Sequence, residues 1–407
     1  MTATPRRRWS RAALARRTGL VAAVGLLAAG CAQNAPQDTW DPAGENAQKI
    51  HDLQWPVFTV AGIVGVIVLS VVGFAIWKFR DRGQPIPEQT HGKPKLEIAL
   101  TILPALILIG VAIPTVGTLM ALNETDDTEC IVNVTGQQWW WEFDYPVQDG
   151  CGGIDEPIIT SGQMVIPADT NVLIRGTSRD VIHSFWIPRL NGKRDMVPGR
   201  VHTLRMQANE PGIYAGQCAE FCGLSHANMR MEVAALNDAD FEAWKANQLE
   251  DYESPAEGTL AAEGEQTFIT NCARCHQVDG LRDSDGQLVV SRPDNQVFSG
   301  AAPNLTNLMT RNTFAGATWD LITQERRDQV WEADPDEFGD LYLAGVEDEW
   351  FNEVDLREWL RNSPAKKPMY ADPTRLEETD GLVRGMPYLA LSEAQIDQLL
   401  AYLLERK

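Results

Sequence analysis

Hydrophobic and polar positions follow three different rhythms along this 407-residue chain, and each predicts its own kind of element. In the first third, two runs are apolar throughout. Trp55 to Phe79 is 25 residues long. A helix of that length reaches about 37 Å, more than the roughly 30 Å hydrocarbon core of a bilayer. Trp55 and Phe58 at one end, and Trp77 and Phe79 at the other, suit the two membrane interfaces. Leu96 to Leu122 reads as a second span, with Pro104 and Pro114 as tolerated kinks. The loop between them carries Lys78, Arg80, Arg82, Lys93 and Lys95, which places it in the cytoplasm and both outer ends outside. Two buried helices of a soluble protein are the plainer reading, and the basic loop between the runs argues against it.

From Cys130 to about Leu236 the rhythm becomes short alternating stretches, among them IVNVTGQQWWWEFDY, QMVIPADTNVLIRGTS, VIHSFWIP, GRVHTLRMQA and MRMEVAAL. Gly and Pro punctuate them, the pattern of a small β-sandwich. Beyond Asp240 the segment KANQLEDYESPAEGTLAAEGE is polar and reads as a linker. The third rhythm is helical. AAEGEQTFITNCARCH looks like one helix. Near the C-terminus, Ser392 and Gln395 form a capping box ahead of an apolar face made by Ile396, Leu399, Leu400 and Leu403.

Before all of these stands a leader over residues 1–31: the basic RRRWSRAALARR, the apolar GLVAAVGLLAAG, then Cys31. LLAAGC resembles a bacterial lipoprotein signal and would put a lipid on Cys31, although Ala28 stands where leucine is usual; an ordinary secretory leader is the alternative. Either leader carries the adjoining chain out of the cytoplasm. The formal charge of −21 argues against nucleic acid, whose phosphates need a basic face.

Outside the cytoplasm cysteines tend to pair or to bind something. Of the seven, Cys272 and Cys275 lie in CARCH, ending at His276, the signature of covalent haem c attachment. Cys218 and Cys222 stand in CAEFCGLSHANM with His226 and Met229. With Cys31 assigned to lipid, Cys130 and Cys151 are left as a candidate disulfide. Pairing Cys218 with Cys222 instead leaves His226 and Met229 unexplained. Two thiolates, an imidazole and a thioether make a soft donor set suited to copper; zinc is the physical rival, but it rarely takes methionine and carries no electron. His51, His91 and His202 read as solvated or surface residues. His183 sits in the apolar strand DVIHSFWIP, where a lone imidazole needs a partner.

CAEFCGLSHANM, together with GQQWWW and DMVPGR, resembles subunit II of the haem–copper cytochrome c oxidases. The resemblance implies a dinuclear copper centre in a cupredoxin-like domain. Cys218 and Cys222 would be bridging thiolates, His183 and His226 one imidazole for each copper, Met229 the weak thioether ligand, and Glu220 a ligand through its backbone carbonyl. The Glu220 carboxylate would face a magnesium ion shared with subunit I. Trp139 matches the residue at which electrons enter, whereas Trp140 and Trp141 read as core aromatics. HGKPKLEIALTILP resembles the segment whose glutamate, here Glu97, lies at the mouth of a proton path.

The last region resembles a class I cytochrome c, in which the first and last helices cross. His276 would be the proximal haem ligand, with Pro303 in APNLT orienting it. Met386 in GMPYLALSEAQ is the expected distal ligand. Met369 in KKPMY is the alternative, and Met309 reads as packing. The chain departs from the compact family pattern around 281–300 and around 325–350, the latter acidic and tryptophan-containing.

The expected fold is multidomain: a two-helix transmembrane hairpin, a cupredoxin-like β-sandwich and an all-α class I cytochrome c domain. The expected bounds are leader 1–31, outer segment 32–54, spans 55–79 and 96–122 around a loop 80–95, copper domain 123–240, linker 241–261 and haem domain 262–407. The expected role is electron transfer in an aerobic terminal oxidase of a bacterial cell membrane, from haem c through dinuclear copper to subunit I, with subunits I and III as partners. The donor would be a quinol-oxidising cytochrome complex or a soluble cytochrome c. No general acid or nucleophile is expected in this chain. A copper-containing nitric oxide reductase subunit and a membrane-tethered copper-delivery protein are the alternatives; the second gives CARCH no purpose.

Overall fold

The computed structural model describes residues 19, 35–83, 91–126, 128–283, 285–289, 302–371 and 384–407. Cys31 and most of the leader lie outside the described residues. Helix α1 runs Glu45–Phe79 and α2 Pro94–Leu122. Their apolar side chains, Ile67, Leu69, Leu108 and Ile113 among them, stand exposed, as lipid-facing residues must. Helix α1 starts ten residues before the expected span, because nothing between Glu45 and Trp55 breaks a helix. That extra stretch is not free. Asn46 is buried, and its side-chain amide donates to the Arg205 carbonyl at 2.9 Å. The Ala43 amide donates to the Arg189 carbonyl at 2.7 Å. The first span is thereby continuous with a helix docked on the β-domain.

Ten strands form that domain: β1 Cys130–Gln137, β2 Trp140–Tyr145, β3 Ile158–Ser161, β4 Gln163–Pro167, β5 Val172–Ser178, β6 His183–Trp186, β7 Arg194–Met196, β8 His202–Met206, β9 Gly212–Cys218 and β10 Arg230–Leu236. One sheet has the order β3-β2-β1-β5-β8 and the other β4-β10-β9-β6-β7. The pairs β1–β5 and β4–β10 are parallel; the rest are antiparallel. Strand β1 alternates buried and half-buried positions, and Val132, Val134, Phe143, Ile174 and Phe185 fill the space between the sheets.

The stretch expected to be a linker is partly a helix. Helix α3, Asp238–Gln248, is capped by Asn237, whose side chain accepts from the Asp240 amide. Phe241 and Trp244 at i and i+3 are buried, with Trp244 against Tyr145 at 5.2 Å. The Lys245 ammonium donates to the carbonyls of Cys151 and Gly153, both at 2.8 Å. Two apolar residues one turn apart suffice to fold an otherwise acidic sequence onto a surface.

The C-terminal region holds α4 Leu260–Asn271, a two-residue hairpin of β11 Thr313–Phe314 and β12 Trp319–Asp320, α5 Gln324–Trp331, α6 Pro335–Leu343, α7 Glu353–Lys366 and α8 Glu393–Leu404. Helices α4 and α8 cross, with Phe268 against Tyr402 at 5.3 Å. The capping box at Ser392 and Gln395 is formed, and Ile396, Leu399, Leu400 and Leu403 are all buried.

Candidate metal and haem sites

Strand pairing brings the first site together. His183 opens β6 and Cys218 closes β9, and the register sets Phe185 opposite Cys218. The Cys218 amide then donates to the Met229 carbonyl at 2.9 Å, which shuts residues 218–229 into one loop leading into β10. A single 3-10 turn, His226–Asn228, aims His226 back toward Cys222.

Within the loop the donor atoms converge. The sulfurs of Cys218 and Cys222 are 3.8 Å apart. Around Cys218 lie His183 Nδ1 at 3.9 Å and the Glu220 carbonyl oxygen at 3.2 Å. Around Cys222 lie His226 Nδ1 at 3.6 Å and Met229 Sδ at 3.7 Å. Metal bonds of roughly 2.0–2.3 Å to imidazole and thiolate, at tetrahedral or trigonal angles, separate neighbouring donors by about 3.3–3.9 Å. The spacing therefore fits metal between the donors. It also divides them into two sets, one per cysteine, that share the sulfur pair.

The crowding of these groups couples their protonation. The two thiols lie close enough to share one proton, which holds Cys218 well below the ordinary thiol value and pushes Cys222 up. Burial alone would lower the His183 pKa, but the Asp180 carboxylate and the Cys218 sulfur outweigh it and the net shift is upward. Asp180 Oδ1 lies 2.8 Å from His183 Nε2, which leaves Nδ1 to face the sulfur. Sequence reasoning passed over Asp180. Its signal was a carboxylate three residues before a buried histidine, the spacing at which an outer partner can orient a metal-ligating ring.

Trp139 is 2% exposed, and its Nε1–H donates to the Cys222 carbonyl at 3.1 Å; the Gln138 side-chain amide donates to the same oxygen at 2.7 Å. Gly223 makes that approach feasible: its φ is +113°, and a Cβ there would meet Gln138 Nε2 at 2.9 Å and the indole at 3.2 Å. Trp140 and Trp141 are buried, Trp141 edge-on to His183 at 5.8 Å. Cys130 and Cys151 form a disulfide with Cα atoms 4.6 Å apart. Glu97 stands exposed in the first turn of α2.

The second site begins where α4 ends. Cys272 caps the helix, and the amides of Cys275 and His276 both donate to its carbonyl at 2.9 Å. Cys272 and Cys275 are unpaired thiols. His276 Nδ1 lies 2.8 Å from the Pro303 carbonyl, so Nε2 is the free ring nitrogen. Desolvation lowers the His276 pKa against that hydrogen bond, which keeps the imidazole neutral and able to ligate. The Ser363 hydroxyl donates to the Met386 carbonyl at 3.0 Å, tying the half-buried Met386 to the end of α7. Met369 is buried and packs beneath Gly385, the residue that precedes Met386. Met309 is fully buried, with its backbone bonded to Arg406 and Val346. The neutral His276 and the two free thiols fit covalent haem.

Three family descriptions match successive parts of the chain: cytochrome c oxidase subunit II, transmembrane domain, over residues 32–117; cytochrome c oxidase subunit II, periplasmic domain, over 130–236; and cytochrome c over 261–341. The chain is 35% identical over 289 residues to cytochrome c oxidase subunit 2 of Alkalihalophilus pseudofirmus, covering 69% of this chain and 82% of that one. It is 34% identical to the Bacillus subtilis protein of that name, over 78% of this chain and 88% of the relative. With the protein from Bacillus sp. strain PS3 the identity is 30% over 399 residues, 94% of each. The two apolar helices, the β-domain with its sulfur-rich loop and the CARCH region are thus all accounted for, and the chain belongs to the cytochrome c oxidase subunit II family, in the form that carries a C-terminal cytochrome c domain.

Proposed function

We propose that the chain carries electrons from a covalent haem c, held by Cys272, Cys275, His276 and Met386, to a dinuclear copper centre, and from there to a haem in subunit I of a proton-pumping oxidase. The observation that supports this most is the convergence of four donors, from His183, Glu220, His226 and Met229, at 3.2–3.9 Å around the sulfur pair of Cys218 and Cys222. Bound there, the metals and the haem supply the one-electron chemistry, and the protein positions and tunes them. Cys218 and Cys222 hold the pair together, Asp180 fixes the His183 tautomer, and Pro303 fixes that of His276. Trp139, bonded to the Cys222 carbonyl, is the point at which electrons reach the loop.

One face of the loop is left open. Glu220 is exposed, Phe221 is 75% exposed and Leu224 38%, beside the exposed Val181 and Ile182. An apolar patch of this kind suits a protein partner, and subunit I is the partner we assign to it, with the Glu220 carboxylate toward a shared magnesium ion. On this reading the face lies outside the cytoplasm, the side opposite the basic loop, and Glu97, at the other end of α2, marks the mouth of a proton path. The donor to the haem is a quinol-oxidising cytochrome complex or a soluble cytochrome c. The test is metal and haem analysis of the purified chain with paramagnetic resonance. Two copper atoms, one covalent haem and a spin shared over two copper nuclei are expected; a four-line signal from an isolated copper ion would refute the proposal.

A further inference from the structure

The described part of the haem domain packs directly on the copper domain. The turn between β11 and β12 and the segment Lys367–Tyr370 close over Trp139 and the last turn of the copper loop. Lys367 is buried, and its ammonium donates to the Trp139 carbonyl at 2.8 Å and to the Ala315 carbonyl at 2.7 Å, one acceptor in each domain. The Tyr370 ring lies 5.2 Å from that of Trp139, tilted by 49°. The Ser225 hydroxyl donates to the Pro368 carbonyl. The Arg230 amide donates to the Gly316 carbonyl at 3.0 Å, and the Thr318 hydroxyl to the Asn228 carbonyl at 2.7 Å. Gly316 has φ +74°, and a Cβ there would meet the Trp139 carbonyl at 2.6 Å and Lys367 Nζ at 3.0 Å. Farther out, Tyr342 of α6 donates to Gln163 of β4 at 2.9 Å, and Arg311 to Ser161 at 2.8 Å.

We propose that these contacts lock the chain's own haem domain as a fixed cap over Trp139, so that an external electron-carrier protein can reach the copper loop only through the haem domain. The inference rests on Trp139 being where electrons reach the copper. Lys367 and Tyr370 are positioning residues: one clamps the two backbones, and the other covers the indole.

Two measurements on the full chain test it. Hydrogen exchange reads the lock without reference to electron flow, because the Arg230 amide is itself an interdomain bond. A hydrogen bond to a charged group is worth roughly 1.5–3 kcal/mol, so Lys367→Met is expected to speed exchange at Arg230 on the order of tenfold or more. Unchanged exchange in both Lys367→Met and Tyr370→Leu would overturn the lock. Stopped-flow mixing of the assembled oxidase with a reduced soluble c-type cytochrome then reads the route. In the unaltered protein, and in Tyr370→Phe, copper reduction trails haem c reduction at every donor concentration. In Tyr370→Leu and Lys367→Met a second copper phase appears, its rate rising with donor concentration. Such a direct phase in the unaltered protein overturns the proposal while leaving the haem-to-copper reading intact. Copper that never becomes reduced after haem c in the unaltered protein overturns that reading instead.

Discussion

Replacing Asp180 by asparagine removes one charge and keeps the shape, and the hydrogen bonds around it set the consequence. Asp180 uses both oxygens as acceptors. Oδ1 faces His183 Nε2 at 2.8 Å and takes the Val181 amide at 2.7 Å, and Oδ2 takes the Gln138 backbone amide at 2.8 Å. Burial works to raise its pKa, but the bonds from His183 and the two amides prevail and hold it below the ordinary carboxyl value. An asparagine has one acceptor oxygen. With that oxygen toward His183, its NH2 group meets the Gln138 N–H, donor against donor. Turned over, it donates to Nε2 and forces the proton onto Nδ1, the nitrogen that must face the metal. The first arrangement strands the part-buried Gln138 N–H at about 1–3 kcal/mol, and the second puts a proton on the nitrogen that the metal needs. Loss of an outer partner of a metal-ligating histidine typically costs about 10- to 100-fold in affinity. Asp180→Asn is therefore expected to release copper at a chelator concentration on the order of ten to a hundred times lower than the unaltered chain, with haem content unchanged. The assay is copper retained on dialysis of the full chain against graded chelator. Retention within twofold of the unaltered chain would refute the reasoning.

Three further outcomes are expected. Met386→Ala should abolish the low-spin haem c spectrum and Met369→Ala should spare it; the reverse result would reassign the distal ligand. Removing the disulfide as Cys130→Ala with Cys151→Ala, cysteines 21 positions apart, should cost about 3 kcal/mol on the loop-entropy relation, and a denaturation midpoint unmoved would contradict it. Glu232 is buried on β10, and burial, with Asp320 adding to it, raises its pKa from 4.5 to about 7. The folded chain thus holds this proton more tightly than the unfolded one. Its contribution is complete below 4.5 and is lost as pH rises to about 7, up to roughly 3 kcal/mol. Glu232→Gln should accordingly lessen the fall in thermal midpoint between pH 5 and pH 8, and an unaltered pH slope would sink this account.

Much of the architecture was legible because its signals are local. Two unbroken apolar runs, alternating strands and the Ser392–Gln395 box each depend on neighbours a few residues away. The donor set of the copper loop was legible for the same reason, since five of its six donors fall within twelve residues. What escaped was long-range. No pattern in Glu45–Gln54 says that Asn46 will bond Arg205, 159 residues on. No pattern in an acidic stretch says that Phe241 and Trp244 will find Tyr145 and fold a supposed linker. Asp180 was visible but ambiguous, because a carboxylate beside a strand is ordinary until its partner is placed. The insertion at 325–350 read as a departure from pattern for the same reason: the acceptor of its Tyr342, Gln163, belongs to another domain.

That placement changes what the C-terminal region contributes. Domains joined by a polar linker move relative to each other unless their interface holds them. Here the connection is short on slack: α3 is packed on the β-domain, and by Tyr252 the chain is already bonded into the haem domain through Glu265 and Tyr402. The interface itself is built from buried polar groups, Lys367, Arg311, Gln163 and Tyr342, rather than from apolar area alone. Such groups tolerate few alternative poses, because each shift strands a donor or an acceptor away from water. A tether that merely raised the local concentration of haem would need neither the insertion nor a lysine aimed at the Trp139 carbonyl. Both are what a fixed geometry between two redox sites requires.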